Sequence, residues 1–118
     1  MLVGDFVEFL KTCHPMKKFI PRLVDEDDEP LEFVYAGAHF DDEDKTLYFH
    51  ILHSEEGDRP FQMQVTDLLF ISDSYPDDSK IKALLKLPPG VFPQPVIAKG
   101  FSFFQDSDCL YFDCSISF

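Results

Sequence analysis

Five consecutive acids, Asp25, Glu26, Asp27, Asp28 and Glu29, cannot enter an apolar interior, because an ionised carboxylate stripped of water without a partner is strongly unfavourable there. Asp41, Asp42, Glu43 and Asp44 form a second run, and Glu55, Glu56 and Asp58 a third. Asp73, Asp77 and Asp78, then Asp106 and Asp108, continue the pattern, so that seventeen of the 22 acids fall in expected turns or at an expected helix start. Between such interruptions the chain has room only for short elements, joined by exposed acidic turns.

Leu110, Phe112, Cys114, Ile116 and Phe118 alternate with Cys109, Tyr111, Asp113, Ser115 and Ser117, the period of a strand with one side on a core. Val96–Phe104 and the turn at Asp106-Ser107-Asp108 make this strand half of a hairpin. Leu31–Phe40, Thr46–His53 and Pro60–Ser72 are apolar, β-branched or aromatic stretches that read as an antiparallel meander. Phe19–Val24 contains Pro21, which cannot donate to a ladder, and is expected at an edge or in an irregular turn.

Two helices complete the set. Leu2, Val3, Phe6, Val7, Leu10 and Cys13 recur at three and four residues, and Pro15 limits that helix. Asp77, Asp78 and Ser79 ahead of Ile81, Leu84 and Leu85 resemble a helix start stopped by Pro88, Pro89 and Gly90, after which residues up to Pro95 form a stiff connector. With 45% apolar residues and 14 Phe the chain can fill a core. The expected fold is α+β, an antiparallel β-meander of about five or six strands with two short helices, in one domain over residues 1–118.

Catalytic chemistry finds little support. His50 and His53 are three apart on an expected strand and point to opposite faces, which argues against a shared metal ion with His39 or His14. A calcium loop beginning at Asp41 has Lys45 and Thr46 where an acid and Gly are required, and one beginning at Asp25 meets Pro30 at the Gly position. Cys13, Cys109 and Cys114 form no Cys-x-x-Cys and are expected as reduced, mostly buried thiols. Neither a Gly-rich phosphate loop nor a Gly-x-Ser-x-Gly elbow occurs. No catalytic residue, cofactor or metal is therefore expected.

Ten Lys and Arg against 22 Asp and Glu give a net charge of −12, which repels nucleic acid. No run approaches the roughly 20 apolar residues of a membrane span, and Met1–Leu10 lacks the basic start of a secretory signal. A cytoplasmic monomer, without direct contact to nucleic acid or membrane, is the expectation. The unbroken acid runs raise the free energy of the compact state through self-repulsion, which a cationic partner would relieve.

In a meander the turns at 25–29 and 55–58 share one end of the sheet and the turn at 41–44 takes the other, about 30 Å away. DNA carries one charge per roughly 1.7 Å, so seventeen carboxylates match about 29 Å of duplex. At these residues the chain resembles the DNA-mimic proteins of bacteria and phages, and by size and charge the small mimics that resemble DNA to the histone-like protein HU. The family shares no motif or common fold, so the resemblance covers the acidic segments alone. It implies a noncatalytic protein that binds a basic DNA- or RNA-binding protein; the charge clusters themselves assign the anionic contacts to Asp25–Glu29, Asp41–Asp44, Glu55, Glu56 and Asp58, with Tyr48 or Tyr75 adding packing. An immunity protein or antitoxin that blocks one cognate toxin is the alternative from another class.

Overall fold

A computed structural model describes residues 1–24, 31–53, 63–86 and 96–115. Helix α1 (Val3–Lys11) forms as its apolar spacing requires and buries Val3, Phe6, Val7 and Leu10. Then follow β1 (Lys18–Leu23), β2 (Leu31–Asp41), β3 (Thr46–His53), helix α2 (Val65–Ser72), β4 (Lys80–Lys86), β5 (Val96–Ile97), β6 (Gly100–Gln105) and β7 (Cys109–Ser115). The seven strands make one sheet in the order β5-β4-β3-β2-β1-β7-β6, curled into a half-barrel.

The curl lets one helix touch strands that are far apart in the sheet. Phe6 of α1 lies 5.8 Å from Phe49 of β3 and 5.5 Å from Phe103 of β6, ring centre to ring centre. Beneath it Phe112 of β7 meets Phe19, Phe49, Phe101 and Phe103 at 4.8–6.2 Å. Leu110, Phe112 and Cys114 are buried on the inner face, as the alternation of the last strand requires, whereas Cys109 faces the other way. Ile116 and Phe118 lie outside the described residues. Burial pushes the Cys114 thiol up to about 12, which keeps it protonated and unreactive. All three cysteines are free.

Among the described residues the architecture is α+β with two helices, but the sheet is not an antiparallel meander of five or six strands. β1 pairs with β7 in parallel, and β3 with β4 in parallel. The second parallel pair exists because a helix, rather than a turn, connects β3 to β4 and returns the chain to the starting end. That helix lies in the stretch expected to be a strand. A short apolar run such as Leu68–Ile71 suits either element, and here Asp67 reaches back to accept the Gln64 backbone N–H at 3.1 Å, fixing the first turn of α2.

Conversely, the helix expected after Asp77-Asp78-Ser79 is strand β4. Ile81, Ala83 and Leu85 are buried while Lys80, Lys82 and Lys86 are exposed, a period of two. β1 is also not an edge strand, since it runs between β2 and β7. Lys18 and Val24 donate to the β7 side, so by alternation Pro21 faces the opposite side, where Phe19 donates to the Met63 carbonyl. Among the described residues the ladder to β2 holds only at Arg22 and Leu23. Pro21 therefore occupies a stretch of that flank with no strand partner, and its missing N–H costs no ladder bond.

A bulge between Tyr35 and Gly37 changes which residues of β2 face inward. Tyr35 pairs with Ile51 before it and Ala38 with Phe49 after it, so odd positions face the core before the bulge and even ones after it. Burial pushes the Tyr35 phenol up to about 12. Gly37 sits at φ 128, which residues with a side chain rarely adopt, although a Cβ there would meet nothing within 4 Å. Gly37→Ala is therefore expected to destabilise by about 1–2 kcal/mol through strain alone. Equilibrium urea denaturation measures it, and an unchanged midpoint would show that the bulge does not depend on glycine.

Candidate functional site

The hairpin turn between β2 and β3 carries Asp41, Asp42, Glu43 and Asp44 and closes through its own residues. The Asp41 carboxylate accepts the backbone N–H of Glu43 at 2.9 Å, the Thr46 hydroxyl donates to the Asp44 carbonyl at 3.1 Å, and Lys45 takes a left-handed conformation at φ 49. Asp42, Glu43 and Asp44 remain exposed. The carboxylates are thus held outward by a turn that does not need them for packing.

Parallel pairing of β3 with β4 brings a second acidic segment to the same end of the sheet. Thr46 is paired with Lys80, and the Lys80 N–H donates to the Lys45 carbonyl at 2.9 Å, which sets the segment 77–79 beside the turn. The four acids of the turn and Asp77 and Asp78 of this segment are therefore neighbours. Among the described residues one ion pair crosses them, Lys45 to Asp78 at 3.9 Å, both side chains more than two-thirds exposed, a geometry that contributes little.

Helix α1 anchors this end. Val3 and Gly4 donate their N–H groups to the carbonyls of Ser79 and Asp77 at 2.8 and 3.0 Å, so the 77–79 segment satisfies orphan donors of the first helical turn. The contact is close, because a Cβ on Gly4 would lie 3.0 Å from that of Asp77. The loop before β4 is consequently fixed to the helix rather than free to carry its acids elsewhere.

Two other acidic runs assigned to the site, Asp25–Glu29 and Glu55, Glu56 and Asp58, lie outside the described residues. The strands that flank them are described: β1 ends at Leu23 opposite the start of β2 at Leu31, and β3 ends at His53 opposite Phe33. Both ends lie away from the 41–45 turn. At the β6–β7 turn, Asp106 accepts the backbone N–H groups of Asp108 and Cys109 at 2.8 Å each, and these bonds hold its carboxyl below the usual range. Lys17 stands nearby and lowers it further.

Neither aromatic assigned to partner contact is a freely exposed ring. Tyr75 is half-buried and stacks on Phe40 at 5.2 Å, and Tyr48 stacks on His39 at 4.9 Å. The outer face of the sheet has a different charge from its acidic end. Lys80, Lys82 and Lys86 line β4, and Arg22 of β1 grips Asp113 of β7 through two bonds of 2.7 and 2.8 Å while its guanidinium covers the Tyr111 ring at 4.0 Å.

Sequence spacing also missed a histidine pair. Past the bulge His39 faces outward, diagonally across the hairpin from His50, and His39 Nδ1 and His50 Nε2 are in hydrogen-bond contact. Among the described residues no group of three or more His, Cys, Asp or Glu gathers in metal-binding geometry, and no helix is long and apolar enough to cross a membrane. Compared with protein-family models, curated proteins and solved structures, the chain matches none of them.

Proposed function

We propose that this chain is a noncatalytic binding protein whose acidic turns occupy the nucleic-acid-binding surface of a basic protein and compete there with DNA or RNA. One observation carries the reading: the acids of the 41–44 turn and of Asp77-Asp78 stand together at one end of the sheet, on loops fixed by backbone bonds. Such preorganisation means that little ordering cost is left for association. The net charge of −12 favours encounter with a cationic surface and disfavours nucleic acid itself. By its resemblance to small DNA mimics, a histone-like protein of the HU type is the partner to try first.

The test measures affinity for a purified HU-type protein by fluorescence anisotropy, with duplex DNA as competitor. Asp42→Lys with Asp44→Lys, and Asp77→Lys with Asp78→Lys, are each expected to weaken binding about tenfold or more. Folding, followed by circular dichroism, should be nearly unchanged because these side chains are exposed. Affinity should also fall steeply with added salt, since exposed charges are screened over about 10 Å at 0.1 M. Binding that ignores salt and both reversals would overturn the proposal, and capture of one toxin in place of any nucleic-acid-binding protein would assign the chain to the immunity class.

A further inference from the structure

The outer face of the β2–β3 hairpin holds two imidazoles whose ring nitrogens point at each other. His39 and His50 have ring centroids 4.7 Å apart, and the contact is between His39 Nδ1 and His50 Nε2. Three features of the fold produce it. The Gly37 bulge turns His39 outward, the register sets His50 opposite Gly37, and Tyr48 stacks on the His39 ring with only 16° between the planes. Tyr48 thereby limits how far His39 can swing from its partner.

Two neutral imidazole nitrogens directed at one point are donors that suit ions of intermediate softness. We infer that His39 and His50 form a two-imidazole site for a borderline divalent cation of the zinc, nickel or copper class. The ion would replace the hydrogen now held between the rings, and that hydrogen would move to the far nitrogen of its ring through solvent. Zinc needs about 2.0–2.1 Å to each nitrogen, so the rings open slightly around it.

Among the described residues no third His, Cys, Asp or Glu completes the set, so water fills the remaining positions and the ion stays exchangeable. Lys82, paired with Tyr48 on the next strand, opposes a cation, while Asp41, two residues along β2 on the same face, favours one. Burial and the neighbouring His39 both hold His50 below its ordinary range.

The experiment titrates the full chain with zinc chloride at neutral pH while the histidine ring resonances are followed by NMR, with calcium chloride as the hard-cation control. Zinc is expected to bind one to one and to move the His39 and His50 signals before those of His14 and His53. His39→Gln and His50→Gln should each weaken zinc binding by more than about tenfold and leave the circular dichroism spectrum unchanged. Calcium, which prefers carboxylate oxygen, should not compete. The inference is overturned if the His14 or His53 signals move first, if both variants keep wild-type affinity, or if calcium displaces zinc. The wild-type resonances decide the matter even if a variant folds poorly.

Discussion

Phe112→Ala is expected to destabilise the protein by about 3–5 kcal/mol, because it removes a fully buried ring from a site that cannot collapse around the gap. Four rings on three different strands, Phe19 of β1, Phe49 of β3 and Phe101 and Phe103 of β6, contact Phe112, and each belongs to a backbone fixed by the sheet. A domain of this size has about 5–15 kcal/mol to lose, so the variant should unfold at much lower urea concentration, with an m-value unchanged if the transition stays two-state. Phe104→Ala is the internal control. Phe104 is 58% exposed on the same hairpin, and its loss should stay within about 1 kcal/mol. Equal effects for the two variants would mean that the core is not organised around Phe112.

Much of that core was legible in the sequence because period and chemistry agree there. α1 repeats at three and four residues with Pro15 beyond it, and β7 alternates without exception up to Ser115. Legibility failed where two local patterns compete. Lys80–Lys86 alternates faithfully, yet the acids before it resemble a helix start, and the run at Leu68–Ile71 has no period of its own. Pro21 argued against a central strand, whereas tertiary structure supplies a flank on which no donor is needed.

The candidate site shows the same division between local and nonlocal information. The 41–44 turn is fixed by short-range rules, Asp at its start and a left-handed residue at its end, and occurs where it was expected. Its neighbour at 77–78 depends on parallel pairing across the α2 crossover, which no nearby residue announces. His39 and His50 were invisible for another reason. A single extra residue at the bulge exchanges the two faces of the rest of β2, so a strict alternation points His39 inward.

Arg22→Ala is expected to cost about 2–3 kcal/mol, more than any other single loss of charge among the described ion pairs. Its guanidinium meets both Asp113 oxygens and lies over Tyr111, with the Arg22 and Asp113 side chains only 18% and 16% exposed. The hydrogen bond to Asp113 raises the Arg22 guanidinium further above its already high range, so its charge persists throughout ordinary pH. Removing the arginine leaves Asp113 ionised, poorly hydrated and unpaired, which explains a penalty larger than the pair's net worth. Arg22→Met with Asp113→Leu should therefore be milder than either alanine variant, and a double-mutant cycle should give a coupling of about 1 kcal/mol or more. For the exposed pair of Lys45 and Asp78, the same cycle should give less than about 0.5 kcal/mol.

Position amplifies the effect at Arg22. The two partners are 91 residues apart and fasten β1 to β7 in a parallel ladder, a contact formed only after a long loop has closed. Loss of the pair should consequently appear first as faster amide exchange in the β6–β7 hairpin, while the β2–β3 hairpin, which is closed by its own short turn, keeps its protection. If exchange accelerates equally in both hairpins, the pair contributes only to global stability and does not hold the end of the chain to the sheet.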